Sequence, residues 1–350
     1  MKISKKLSSL AIASAFLAAA AAGSAQARDL TVVNFGGANG DAQEVAFIKP
    51  LEKESGKKII VVAYNGEQAK VKAMVDTHDV VWDAVEVETG DLGRGCDEGL
   101  YEKLNWDHIG KKSDFIPAAV RECGIGAFVW STVLAYNGKT LKTAPTSWAD
   151  FWNVKKFPGK RGMRKGARYN LEFALMADGV APQDVYKVLG THEGVERAFK
   201  KLTELKPYIQ WWEAGAQPPQ MLAAGDVVMS TAYNGRISAA NKGDHLSLKT
   251  VWNQNIYDLD YWVIPAGSPN KALAEKFIQF ATSPGPQAAY SQQIAYGPIN
   301  KAAIKKLDAK TLADLPNSPQ NGKNALLSSY DFWADHGEEL EQRFTAWSTQ

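Results

Sequence analysis

Residues 255–265 read NIYDLDYWVIP, which sets two carboxylates, Asp258 and Asp260, in an otherwise aromatic and aliphatic run. Alternation along an extended strand puts Asp258, Asp260 and Trp262 on one face, and Tyr257, Leu259 and Tyr261 on the other. An acid among rings is the composition that a short aliphatic amine requires. An ammonium leaving water loses several kcal/mol of hydration, which charge and hydrogen bonds must offset. Carboxylates accept charge-assisted hydrogen bonds from it. Aromatic faces add about 0.5–2 kcal/mol of cation–π attraction and cover methylenes at about 0.8 kcal/mol each.

The elements around this run alternate. DLTVVNF (29–35), KKIIVVAY (57–64), WDAVEVE (82–88) and AFVWSTVLAYNG (127–138) are strand-like, bounded by Gly- or Asn-containing turns. Between the first two, GDAQEVAFIKPLEKESG has the apolar spacing of a helix. VERAFKKLTELKP predicts a helix stopped by Pro207, and Ser147 can cap a short aromatic helix. QPPQMLAAGDVVMSTAYNGRISAANKG reads as helix, strand, helix, and further helices are expected in KALAEKFIQFAT, GPQAAYSQQI and 330–347. Such alternation indicates an α/β protein with mostly parallel sheets, whose ligands bind at the carboxyl ends of the strands. Phe35, Glu88, Glu213, Tyr233 and Asp260 stand at such ends.

The N-terminus carries Lys2, Lys5 and Lys6, then an apolar run from Leu7 to Ala22, then Ala25-Gln26-Ala27. That order predicts a secretory signal peptide cut after Ala27. Removing three lysines and no acids turns the formal charge from +2 to −1, so neither nucleic acid nor anionic membrane is implied. The remaining length exceeds what one core usually holds and suggests two lobes. In an exported chain, Cys96 and Cys123 are expected to form a disulfide, worth roughly 3–4 kcal/mol on the chain-entropy picture. The competing reading makes one of them a catalytic thiol.

Enzyme signatures are otherwise thin. The five histidines lack HExxH spacing, FGGANGD is neither a P-loop nor GxGxxG, and no G-x-S-x-G elbow occurs. Asp258 and Asp260 lie side by side rather than flanking a scissile bond. Arg161, Arg164 and Arg168, with Lys160 and Lys165, form a basic run expected to be a solvated face.

From VVNFGGANGDAQ through GDVVMSTAYNGRISAA and YDLDYWVIPAGSPNKALAEKFIQFA to IAYGPINKAA, the chain resembles the periplasmic substrate-binding proteins of polyamine-type ABC importers. The resemblance implies a type II binding-protein fold with two lobes joined by hinge strands. The expected division is residues 28–137 plus 262–303 against 138–261 plus 304–350. It also implies that Asp260 receives a ligand amine and that Tyr233, Phe35 and Tyr296 wall the alkyl chain. Glu88 and Glu213 fall where polar ligand contacts are expected. The departures are informative: Gly166 and Tyr169 stand where long-polyamine receptors carry acids, Ala38 and Gly90 replace tyrosines, Asp258 replaces a tryptophan, and Arg236 replaces a small residue.

Arg236 divides the ligand readings. If its planar fork faces the cleft it can hold a carboxylate, and the ligand is an ω-amino acid such as 4-aminobutyrate. If it pairs with Asp258 or Glu213, a diamine such as putrescine leads, with Glu88 or Glu213 on the second amine. Only one of Trp211 and Trp212 can face the cleft, and Gly36-Gly37 suits a tight turn or a close backbone approach. The expectation is a monomeric periplasmic receptor, without cofactor or covalent chemistry, that hands a small amine to a membrane permease. The other open readings are a cysteine enzyme on the same scaffold and a ferric-ion receptor.

Overall fold

The computed structural model describes residues 28–318 and 320–349, so the expected leader and its cut lie outside the described residues. The β-branched run Leu30–Asn34 forms β1, buried along its whole length and parallel to both β2 (Ile59–Ala63) and β3 (Ala84–Glu88). Two much longer strands follow in the sheet, β4 (Ile125–Asn137) and, later in the chain, β8 (Leu248–Val263). Between them in sequence come β5 (Arg161–Arg164), β6 (Ile209–Trp212) and β7 (Met229–Tyr233), and β9 (Leu326–Leu327) pairs with β8. The sheet order is β2-β1-β3-β8-β4-β7-β5-β6.

Two parallel clusters, β2-β1-β3 and β7-β5-β6, thus flank one central antiparallel pair. β4 leaves the first cluster beside Trp262 and reaches the second beside Tyr233, and β8 makes the return crossing. The register of that pair shifts at Gly126/Phe128 and again at Thr132/Leu134. Bulges of this kind bend a strand and raise its twist. This is the type II, two-lobed binding-protein architecture.

Local chemistry explains where the elements depart from expectation. The first helical run is interrupted: Gly37–Gln43 and Lys49–Ser55 are α-helical, with a π-helical turn at Glu44–Ile48 between them. Pro50 supplies no N–H to the helical ladder just beyond that turn. Ser147 does cap Trp148–Trp152, accepting from the backbone of Asp150. Cys96 and Cys123 form a disulfide that ties the helix Thr89–Asp97 to the segment before β4.

The basic run is a solvated face only at Lys160 and Lys165, which are exposed; its three arginines are not. Residues Arg161–Arg164 form β5, enclosed between β6 and β7. Arg161 is fully buried and donates to the carbonyls of Phe151, Phe157 and Gly159 at 2.8, 2.6 and 2.7 Å. Burial pulls its guanidinium down to about 10.

Candidate ligand-binding site

The carboxyl ends of strands from both clusters meet around a cavity of about 180 Å³. Typical small-molecule pockets run to about 300–1,000 Å³, so this one is matched to a small solute. Phe35 enters from the exit of β1, Glu88 from the end of β3, Arg164 from the end of β5 and Tyr233 from the end of β7. Asp260, Arg236, Glu213 and Tyr296 complete the arc. Seven of the nine residues singled out in the sequence therefore share one cavity.

Asp260 is 6% exposed and accepts a 2.6 Å hydrogen bond from the indole N–H of Trp130. Its carboxyl group also meets that of Glu86, two residues before Glu88 on β3. Glu86 is wholly buried and accepts from Asn39 at 2.8 Å and from Gln43. Burial, and then the neighbouring Glu86, holds Asp260 well above the usual carboxylate range; burial raises Glu86 as well. Two acids in contact cannot both ionise cheaply, so without a cation between them they keep a proton.

Rings frame this acid pair. Trp130 meets Tyr233 edge-on at 4.9 Å, and Tyr233 meets Trp212 edge-on at 5.4 Å. Tyr296 stacks on Phe128 at 4.9 Å with an interplanar angle of 5°. Phe35 stacks on Tyr64 at 5.1 Å. Neither member of the Trp211–Trp212 pair lines the cavity, contrary to expectation. Trp212 is core behind Tyr233, and Trp211 packs on Phe344 and Trp347 of the helix Tyr330–Thr349.

Arg236, third residue of the helix Asn234–Gly243, turns into the cavity. It is 7% exposed, its Nε has no hydrogen-bond partner among the described residues, and the Tyr296 hydroxyl lies beside it. The internal pairings considered for it are absent, because both acids are committed elsewhere. Glu213 pairs with Lys165 at 3.2 Å on the rim. Gly37 makes room for the guanidinium: it has φ +55°, and a Cβ built there would lie 2.6 Å from Nη1 of Arg236. The close approach expected of Gly36-Gly37 is thus made to a protein side chain.

Two expected site residues stay out of the cavity. Asp258 is 1% exposed and accepts from the hydroxyls of Thr89 and, at 2.8 Å, Tyr169. Tyr169 is equally buried and packs edge-on against Trp130 at 5.5 Å. The loop before helix Asn170–Ala177 folds over Asp258, and each residue satisfies the other. Glu88 reaches the cavity but not as a free acid. Arg164 binds it in a fork at 3.0 and 3.1 Å, and Arg168 adds a contact at 3.1 Å. Burial pushes Glu88 up, but the two guanidiniums outweigh it, and the net shift is downward.

Sequence reasoning missed Glu86, Trp130, Asn39 and Arg164. Glu86 had a signal, since alternation puts it on the same face as Glu88. Trp130 had none, because its approach to Asp260 depends on the register of β4 against β8.

An α/β chain whose two strand clusters direct polar side chains and rings into a common small cavity is, by architecture and site, a two-lobed solute receptor. The chain belongs to the bacterial extracellular solute-binding protein family, which it matches over residues 46–320. It is 57% identical, over 95% of both chains, to a gamma-aminobutyric acid-binding protein of Pseudomonas aeruginosa. More distantly, it is 23% identical to a spermidine/putrescine-binding periplasmic protein of Escherichia coli, over 76% of this chain and 77% of that one. A solved ABC transporter substrate-binding protein from Bradyrhizobium japonicum superposes with a TM-score of 0.84 at 38% identity, covering 91% of this chain and 99% of the other.

Proposed function

We propose that this receptor captures 4-aminobutyrate, or a close ω-amino acid, for an ABC importer. The ammonium goes to Asp260 and Glu86, the carboxylate to Arg236, and the methylenes lie between Phe35, Tyr233 and Tyr296. One observation carries this reading. The buried guanidinium of Arg236 and the carboxyl group of Asp260, backed by the buried Glu86, face the same small cavity, and among the described residues neither is held in a salt bridge. Those are the two charges of a zwitterion, each missing its partner. The 57% identity to a gamma-aminobutyric acid-binding protein supports the same ligand. Three methylenes against the rings add about 2 kcal/mol.

The rival readings fit less well. A diamine would place a second cation near Arg236 or Arg164, both lining the cavity. The same guanidiniums oppose a ferric ion. A thiol nucleophile is not on offer, since Cys96 and Cys123 are bonded to each other. The protein therefore acts by binding alone: ligand bridges the lobes 28–137 plus 262–303 and 138–261 plus 304–350, and its higher affinity for the closed form shifts the population towards it. Export with cleavage after Ala27, a monomeric state and delivery to a membrane permease belong to the same proposal.

Titration calorimetry against 4-aminobutyrate, 5-aminovalerate, putrescine, spermidine and neutral α-amino acids tests it. The ω-amino acids should bind, and Asp260→Ala should abolish that binding in a folded protein. Tight putrescine binding with none of 4-aminobutyrate would overturn the reading.

A further inference from the structure

Glu88 and Asp260 are directly opposed residues on β3 and β8, and Glu86 lies on the same face of β3. Left to themselves, three acids on one wall would suit a ligand with two positive ends. We infer that Arg164 and Arg168 act as specificity determinants that occupy Glu88 and so bar a second ligand cation, and that Gly90 is bare so that Arg168 can take its place. The inference rests on the zwitterion reading of the cavity and adds the reason for its selectivity.

The seat of Arg168 is built on every side. A Cβ on Gly90 would lie 1.8 Å from Nη2 of Arg168 and 2.7 Å from Cζ, so any larger residue displaces the guanidinium. The guanidinium stands over the ring of Trp333 at 5.4 Å, and its own backbone N–H donates to Glu341 at 3.2 Å. The next residue, Tyr169, takes φ +68°, a left-handed conformation rare for an aromatic residue. That turn lets Arg168 reach Glu88 while the Tyr169 hydroxyl reaches Asp258. Strain of this kind persists where surrounding contacts over-determine it.

The charge count follows. Arg164 closes the fork on Glu88 from the cavity side, and Arg168 holds it from behind. Glu88 is then ionised but spent, and Asp260 with Glu86 is left as the single seat for an ammonium. A ligand with one amine and one carboxylate meets complementary charge at both ends; a diamine meets it at one.

The test compares wild type with Arg168→Gln, Arg164→Gln/Arg168→Gln and Gly90→Ala, each titrated with putrescine and with 4-aminobutyrate. The ratio of putrescine to 4-aminobutyrate dissociation constants should fall at least tenfold in Arg168→Gln and further in the double variant. Adding Glu88→Gln to Arg168→Gln should restore it. Gly90→Ala changes no charge and should shift the ratio in the same direction, so it decides the matter alone if the arginine variants do not fold. A ratio within threefold of wild type in the folded variants overturns the filter. Failure of wild type to bind 4-aminobutyrate would sink the zwitterion reading instead, and a gain of putrescine in Arg168→Gln would still uphold the filter.

Discussion

The indole N–H of Trp130 on β4 donates to Oδ1 of Asp260 on β8 across 2.6 Å, and the same indole meets Tyr233 edge-on at 4.9 Å. One side chain thereby aims the acid and braces the aromatic wall. Phenylalanine would keep much of the wall and lose the donor. A hydrogen bond to a charged group is worth about 1.5–3 kcal/mol, so Trp130→Phe should weaken 4-aminobutyrate by about 10- to 100-fold. Calorimetry on a variant of unchanged melting temperature reads this out, and an unaltered dissociation constant would refute the aiming role.

Ligand binding should expel a proton. In the empty site Asp260 is held well above the usual carboxylate range by burial and then by Glu86. An ammonium placed against the pair favours its fully ionised form. Affinity for 4-aminobutyrate should therefore rise with pH until the pair ionises unaided. Calorimetry in two buffers of different ionisation enthalpy measures the released proton directly. Equal heats in both buffers at pH 6 would show that no proton leaves on binding and would overturn this prediction.

The guanidinium of Arg236 is expected to discriminate by ligand, not by fold. Truncating one member of a buried charge pair costs about 2–5 kcal/mol. Arg236→Met should thus lose 4-aminobutyrate by at least about 30-fold, while butylamine, which has no carboxylate, keeps its weak affinity. Equal losses for both ligands would point to collapse of the pocket rather than removal of a clamp.

The sequence exposed the strand ends more clearly than the loops between them. Asp260, Tyr233 and Phe35 could be found because a strand's alternation and its exit point are local properties. Asp258 obeys the same alternation, yet its fate was decided by Tyr169, 89 residues away, folding over it. Arg164 and Arg168 looked like surface charge because four residues of β5 carry no apolar run. Only the sheet order, with β5 between β7 and β6, shows that Arg164 is enclosed, and only the packing of the following loop on Trp333 and Glu341 encloses Arg168. Long-range pairing thus settled which charges are free for a ligand and which are already matched.

Glu172, in the helix Asn170–Ala177 that underlies the Arg168 turn, gives a stability prediction independent of ligand. Its Oε1 accepts from the Tyr186 hydroxyl at 3.0 Å and the Trp333 indole at 2.8 Å, while Oε2 is buried with no hydrogen-bond partner among the described residues. Burial pushes this carboxyl from 4.5 up to about 7. The folded protein therefore binds a proton that the unfolded chain releases between those values. Its contribution to stability is complete below pH 4.5 and is lost as pH rises through 7, a change on the order of 3 kcal/mol. Glu172→Gln cannot ionise, so it should raise the urea midpoint relative to wild type at pH 8 and leave the two proteins closely matched at pH 5. A variant destabilised equally at both pH values would mean that shape, not protonation, governs this position.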